Sequence, residues 1–422
     1  MRNMKLGIFE DAGYRNLLPL TWLRPAFDLR CGAERLIEGQ LRSARAQAAD
    51  RLWLRRDLAP LYAGSGAASG ASGGADSWLL VNGRAMFERQ LPALPLNHCI
   101  RAGGTLVAAY VPADYVPAEG EFFLDTAAVD AWSDGLTAIP APEGVVLIER
   151  PWDLIRHNGA ALRRQLTHGG VFAGKRCVGV HLLNASAIFV GEGAVLKPGV
   201  VLDAEHGPIH IAEGALIEPN AVVQGPAYIG PKSIIRPNAA IREETAIGPT
   251  CRVGGEVAES IFWGYGNKQH DGFVGHSYLG AWTNLGAGTT TSDLKNNYGK
   301  VRAAPLGEAI DTGMMLLGSI VGDHSKTGIG TLLPTGCVVG AASNIFLSGP
   351  APKSVPSLAW LTDAVRERYR TDRAKELARI VMDRRGVKMT DAEDALFDRL
   401  AAQCFAVEAA SWNALAAGAG GD

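Results

Sequence analysis

The hydrophobic pattern of this chain is most regular between Ile211 and Val253, where every sixth residue is Ile or Val: Ile211, Ile217, Val223, Ile229, Ile235, Ile241, Ile247 and Val253. Four residues after each comes a second series, Ala215, Ala221, Ala227, Ser233, Ala239, Thr245, Cys251 and Val257, small throughout except for its last member. A period of six fits neither a helix, at about 3.6 residues per turn, nor the two-residue alternation of an open sheet. It fits a short strand and a tight corner, repeated. The aliphatic residue points inward, and the small residue lets the chain turn close to the axis. Gly or Pro between the two series (Gly214, Pro219, Gly225, Gly230, Pro237, Gly248, Gly254) suits such corners. The expectation is a parallel β-helix built from hexapeptides.

The phase extends in both directions. Val190, Leu196 and Leu202 keep the spacing upstream, and three extra residues near His206 then shift it. Leu279, Leu285, Val321, Leu333, Val339 and Ile345 carry the pattern downstream. One coil buries little alone, so stacking must supply the core. Two segments break the period, Glu259 to Phe273 and Thr290 to Gly313, and loops projecting from a regular scaffold are favoured places for chemistry.

The flanking patterns differ. Lys5 to Glu10, Leu52 to Leu54 and Trp78 to Val81 read as strands, Cys31 to Ser43 and Pro151 to Leu166 as helices. Their alternation predicts an α/β layer domain with a mostly parallel sheet, over residues 1–166. Ligands of such sheets bind beyond the strand ends, which places Asp11 to Arg24 and Asn82 to Arg84 at a crevice. The Gly/Ser-rich stretch from Ala63 to Asp76 reads as a flexible insertion. Residues 167–356 form the expected β-helix domain, with 168–183 as a join. Residues 357–422 read as a helical tail with Val365, Tyr369, Leu377, Ile380 and Val381 on one face, a capping box at Thr390 to Glu393, and a disordered end from Ala416.

Composition narrows the function. A net charge of −2 gives no reason to invoke nucleic acid or an anionic membrane, although 8 of the 11 lysines fall between Lys175 and Lys353. The 6 cysteines are scattered without a C-x-x-C pair, which suits reduced thiols in the cytoplasm. No apolar run is long enough to act as a signal peptide or to span a bilayer.

Gly13-Tyr14-Arg15-Asn16-Leu17-Leu18-Pro19-Leu20-Thr21 resembles the phosphate-binding loop of sugar-1-phosphate nucleotidyltransferases. Glycine there lets backbone N–H groups approach a triphosphate, and cations neutralise the leaving pyrophosphate. Glu10 and Asp11 stand where that family has glycines, Arg24-Pro25 where it has Pro-Lys, and Asn82 ends the strand that would carry a metal-binding Asp. With a hexapeptide β-helix behind it, the chain resembles the bifunctional uridylyltransferase/acetyltransferase that makes UDP-N-acetylglucosamine, over about residues 5 to 350. The resemblance implies a Rossmann-like nucleotidyltransferase fold followed by a left-handed β-helix. It implies a homotrimer with acyl sites shared between subunits, acetyl-CoA as co-substrate, and Mg²⁺ for nucleotidyl transfer; the expectation for this chain is that Asp11 holds that ion in part. Arg15, Arg24 and Asn82 would meet the nucleotide and sugar phosphate.

In the second half, His270 lies fourteen residues before Asn284 of Asn284-Leu285-Gly286-Ala287-Gly288-Thr289, the family's spacing for its catalytic His. By the same resemblance Arg236 and Lys268 would contact the sugar phosphate and Asn284 the substrate, while Asn297, Tyr298 and Ser319 would line the acetyl donor. Phe273 replaces the family's Tyr. His270 is thus the expected general base, removing a proton from a sugar amine as it attacks the thioester. His276, one six-residue repeat on, is the rival. Two other functions fit the same chain: a nucleotidyltransferase whose β-helix is a scaffold, and a non-catalytic sugar-nucleotide-binding protein.

Overall fold

The computed structural model describes residues 4–63, 76–118 and 120–417. Most of the Gly/Ser-rich stretch and residues 418–422 lie outside them.

The six-residue period becomes three sheets. In one, Ile211 faces Ile229 and Ile229 faces Ile247; in the next, Ile217 faces Ile235 and Ile235 faces Val253; in the third, Val223 faces Ile241 and Ile241 faces Val257. Successive hits therefore occupy successive sheets, and a full coil returns to the same sheet. All eight aliphatic positions are fully buried, and so is the small series. Corners are turned one residue before the small residue. Asn220, Lys232, Asn238, Glu244 and Thr250 hold positive φ there, so the left-handed corner is not reserved for glycine.

The coils begin earlier than the sequence suggests. Residues read as a join are already strands: Val171–Phe172, Lys175–Arg176 and His181–Leu183 pair in parallel with the next coil. The first expected interruption is also inside the solenoid. Phe262 and Lys268 stay in register with Ile247 and Val253, in a shortened coil. The second interruption is real: after Leu279 the coil continues through Asn284 and Thr290–Thr291, which stack on the coils before and after, and only then does the chain leave it, forming a hairpin of Arg302–Ala303 with Ile310–Asp311 before Val321 returns to pair with Leu279. After Pro356 the chain adds another strand, Ala359–Thr362, to the stack and folds Arg366–Arg368 back onto it, so helix starts only at Thr371–Asp383. Val365 and Ile380, expected on a buried face, are exposed. Helix Asp391–Val407 starts at the Thr390/Glu393 capping box and buries Leu396, Phe397 and Leu400.

The first 166 residues form a six-stranded sheet in the order Arg51–Trp53, Met4–Phe9, Ser77–Asn82, Thr105–Pro112, His98–Ala102, Thr137–Pro140. The first three strands are parallel as expected, but Thr105–Pro112 is antiparallel to both neighbours. Gly103 and Gly104, both at positive φ, make the tight turn that closes this hairpin. The segment after Met4–Phe9 is a 3-10 helix, Ala12–Leu17, rather than an open loop. It is anchored by Glu10 and Arg55, both buried and paired at 2.9 Å, with Arg55 also donating to the Thr21 and Arg24 carbonyls. The six cysteines are unpaired, and no described helix is long and apolar enough to cross a membrane.

Helix Pro151–Gln165 packs on the β-helix through Trp152, Leu154 and Ile155 against Ala246, Ile261 and Tyr278. The approach is close at Gly159, where a Cβ would lie 2.0 Å from the Glu244 carboxylate. The tail closes the assembly. Glu408 is buried between the Trp22 indole N–H, which donates to it at 2.6 Å, and the Ser357 hydroxyl at 2.8 Å. Burial pushes its carboxyl from 4.5 up to about 7, against the donors from Ser357 and Trp22 that favour the anion. The raised value gives a sign: the stabilisation from the neutral carboxyl is complete below about pH 4.5 and lost as pH rises through about 7. Urea unfolding should therefore show a loss on the order of 3 kcal/mol across this window, and Glu408→Gln should flatten it. Equal pH slopes in the two proteins would contradict this assignment.

Candidate functional site

Two regions of the molecule gather chemistry-bearing side chains. The first lies at the corner after strand Phe273–Gly275. Ala258 pairs with Gly275, so the next residues, Glu259 and His276, stack at the same corner of successive coils. Both hold positive φ. Asp293 reaches this corner from the excursion, where its carbonyl accepts from Leu317 N–H at 2.9 Å. The His276 Nδ1 lies 2.8 Å from Asp293 Oδ2 and its Nε2 2.7 Å from Glu259 Oε2. The imidazole is 9% exposed and Asp293 17%, whereas Glu259 is 37% exposed on the solvent side. Gly275 is required here, because a Cβ would fall 2.3 Å from the Asp293 carboxylate.

Burial alone would lower the His276 pKa, but hydrogen bonds to Asp293 and Glu259 outweigh it and lift the value to about 9. At neutral pH the ring is an imidazolium clamped between two carboxylates. With Nδ1 held by Asp293, loss of Glu259 from Nε2 lowers the pKa of the ring, and release of the Nε2 proton then leaves the neutral tautomer that carries its lone pair outward. That is the arrangement of a general base with an orienting carboxylate.

The other residues singled out in this half do not converge on it by any direct contact. His270 is exposed on a turn, and among the described residues its ring has no hydrogen-bonding partner. Lys268 occupies an inward position, fully buried, and its ammonium donates to the carbonyls of Gly254 at 2.9 Å and His270 at 2.8 Å. Desolvation lowers its pKa to about 8. This corrects the expectation of a phosphate contact: the ammonium is buried inside the coil, with two of its three donors on carbonyls. Asn284 accepts from Asn267 at 2.6 Å, and Arg236 pairs with Glu218 at 2.9 Å. Ser319 is buried next to the corner with its hydroxyl unpartnered among the described residues, while Asn297 and Tyr298 are exposed on the excursion.

The second region is the strand-end crevice of the first sheet, a cavity of about 510 Å³ lined by Asp11, Gly13, Asn16, Arg84, Asp130 and Glu149 among others. Asp11 does not fit its expected part as a magnesium ligand. Both its oxygens accept from Arg84, at 2.7 and 2.6 Å, and they also take Asn82 Nδ2 at 2.9 Å and Gly13 N–H at 3.2 Å. Among the described residues no group of three or more His, Cys, Asp or Glu could hold a metal ion. Arg15 and Arg24 do not meet at this crevice. Arg15 is exposed and lines a separate cleft with Arg150. Arg24 is buried at the junction with the β-helix, paired with Asp28 at 3.2 Å and Asp323 at 2.8 Å, and its guanidinium lies 3.7 Å from the Trp263 ring centroid. Arg84, placed by the sequence in a strand-end segment but given no role there, is the cation that does line the crevice. Its place directly after Asn82-Gly83, at a strand end, was the available signal.

Residues 6–168 match the family described as sugar nucleotidyl transferase, and residues 208–243 match the bacterial transferase hexapeptide (six repeats). A curated relative from Sulfurisphaera tokodaii, described as a bifunctional sugar-1-phosphate nucleotidylyltransferase/acetyltransferase, is 32% identical over 91 residues. That match covers 22% of this chain and 23% of the relative, less than a quarter of its length. Among solved structures, the UDP-N-acetylglucosamine acyltransferase of Francisella novicida is 13% identical, covers 58% of this chain and 90% of its own, and has a TM-score of 0.30. The UDP-N-acetylglucosamine acyltransferase from Campylobacter jejuni is 13% identical over 58% of this chain and 94% of its own, with a TM-score of 0.23. The first domain, residues 6–168, thus matches the sugar nucleotidyl transferase family, and it is followed by a parallel β-helix of which residues 208–243 match the bacterial transferase hexapeptide.

Proposed function

We propose that the protein is a two-site enzyme that makes a nucleotide-activated N-acetyl amino sugar, with acetyl transfer at the His276 corner and nucleotidyl transfer at the strand-end crevice. The observation that carries the reading is the single imidazole held between Asp293 and Glu259, where an excursion leaves an otherwise regular coil.

In the acetyl-transfer step the amine of a sugar phosphate attacks the thioester carbonyl carbon of acetyl-CoA. Glu259, the more exposed of the two carboxylates, gives way to the amine, and the ring gives up its Nε2 proton to solvent, leaving a neutral imidazole with a free Nε2 lone pair. His276 then takes the amine's proton through Nε2 as the C–N bond forms, while Asp293 stabilises the imidazolium at Nδ1. The C–S bond breaks, and the departing thiolate receives that proton. Asn297, Tyr298 and Ser319 belong to the segments that flank the corner and are the proposed contacts of the acetyl donor, with Arg236 and Asn284 toward the sugar phosphate. His276 replaces His270 as the proposed base, because only His276 has a carboxylate on each ring nitrogen.

For the first domain the family match supports nucleotide and sugar-phosphate binding at the crevice, with Arg84 as the cation facing it. With Asp11 engaged by Arg84, these residues as arranged do not offer a magnesium site, and no chemical step is assigned to one. Assembly as a homotrimer is supported by apolar side chains left on the outside of the solenoid and its excursion. Ile329 is 85% exposed and Tyr298 68%, with Met315, Leu332 and Phe346 also exposed.

His276→Ala should lower acetyl transfer by roughly a hundred- to ten-thousand-fold with acetyl-CoA affinity little changed, while His270→Ala keeps near-full rate. The opposite result would return the base to His270. Because kcat/KM reports the free enzyme, its pH profile should rise toward the His276 value of about 9, and Glu259→Gln should shift that limb to lower pH. Arg84→Ala should abolish pyrophosphate release from a nucleoside triphosphate and spare acetyl transfer; a joint loss with the fold intact would contradict two separate sites. Light scattering should find three 44.6 kDa chains per particle, and a fully active monomer would rule the trimer out.

A further inference from the structure

A cavity of about 520 Å³ opens where the first domain, the β-helix and the tail helices meet. It is unrelated to the His276 corner and to the strand-end crevice. One wall is aromatic: the rings of Trp282 and His324 are nearly parallel, with centroids 6.2 Å apart, and Phe397 meets His324 edge-on at 5.2 Å. The back of Trp282 is already covered by Tyr265, stacked at 4.1 Å. Met382 and Met389 from the tail complete the apolar lining with polarizable thioethers. Clefts of this size at domain junctions are where small ligands bind, and this one combines its aromatic wall with the charged side chains of Arg24, Asp28, Arg35, Asp323, Lys388 and Glu393.

The polar groups define the ligand. The cations at the cavity already hold carboxylates: Arg24 pairs with Asp28 and Asp323, Arg35 with Asp28 and Glu38, and Lys388 with Asp383. A charged ligand would have to break one of these pairs, two of them largely buried. His324 is different. It lines the cavity at 8% exposed, and its Nδ1, without accessible surface of its own, has no partner among the described residues, so a turn of the ring is what brings that nitrogen to a ligand. Burial, with Lys326 and Arg24 nearby, holds its pKa well below the usual imidazole value, so the ring is neutral. A neutral imidazole offers one donor and one acceptor, and leaving a buried one unmatched is costly.

We propose that this junction cavity binds an uncharged, planar heteroaromatic molecule of nucleobase to nucleoside size, its ring against Trp282 and a polar ring atom hydrogen-bonded to His324. Because the walls come from all three parts of the chain, occupancy would tie the tail helices to the β-helix and the first domain. The site is independent of the proposed acetyl transfer.

Titration calorimetry on the full chain with adenine, hypoxanthine, uracil and adenosine tests this, with AMP as the charged counterpart. At least one uncharged probe should bind with Kd below about 1 mM, and AMP should bind no more tightly than adenosine. His324→Phe keeps the ring, removes the nitrogens, and should weaken binding about tenfold or more. Ala392→Trp fills the cavity from the partly exposed face of helix Asp391–Val407 and should abolish binding without lowering the melting temperature. Saturating coenzyme A should leave the binding unchanged, which separates this cavity from an acetyl-donor groove. The proposal is overturned if no uncharged probe binds at that concentration. It is also overturned if binding survives Ala392→Trp, if His324→Phe binds as tightly as the native chain, if coenzyme A displaces the probe, or if AMP binds much more tightly than adenosine.

Discussion

The inward ladder of the solenoid is the constraint on which the rest of the molecule depends. Ile, Val and Leu from successive coils stack into one continuous core from Ile188 to Leu361. No coil could bury its apolar positions alone, so each fixes the register of the next. A fixed register makes a corner residue in one coil the neighbour of a corner residue in the next. Glu259 and His276 are brought together this way, although they are far apart by the local rules of a helix or an open sheet. The excursion after Thr291 then adds Asp293 from outside the repeat.

The same ladder organises the docking of the first domain. Trp263 lies in the shortened coil and reaches outward to donate its indole N–H to the Asp28 carbonyl at 2.7 Å, while Tyr278 accepts the Arg30 N–H at 3.0 Å. Arg24 and Asp323 add a buried ion pair across the junction. Such a pair contributes little net stability against an apolar replacement, but removing one partner strands a buried charge. It therefore specifies how the two parts sit together more than it holds them. The tail repeats the arrangement at Glu408, which meets the first domain at Trp22 and the last coils at Ser357.

Much of this was legible in the sequence, for physical reasons that also set the limit. The run from Ile211 to Val253 discloses the three sheets because each inward position there holds Ile or Val, fully buried and stacked on the next coil. The pattern became unreadable where one inward position took Lys268, whose ammonium is satisfied by two carbonyls inside the coil. A segment that stays in register therefore reads as a projecting loop, and Lys268 as a contact of the sugar phosphate. The antiparallel hairpin closed by Gly103-Gly104 escaped because alternation of strands and helices says nothing about strand direction. At the site, spacing to Asn284 favoured His270. What separates the two histidines is the pair of carboxylates around His276, and that contact exists only once the coils are stacked and the excursion has returned. The Asp11–Arg84 pair was hidden for the same reason: its partners are seventy-three residues apart.

The central claim is that His276 stands between Asp293 and Glu259 as a proton-transferring imidazole. It can be tested without knowing the substrate, by following the imidazole nitrogen signals of histidine-labelled protein as pH is raised. The account predicts one imidazole that titrates near 9, disappears in His276→Ala, and moves down in Asp293→Asn and Glu259→Gln, since each substitution removes an anion that favours the charged ring. If the signal lost in His276→Ala titrates at or below the ordinary value of 6.5, the carboxylates do not hold this ring and the account fails.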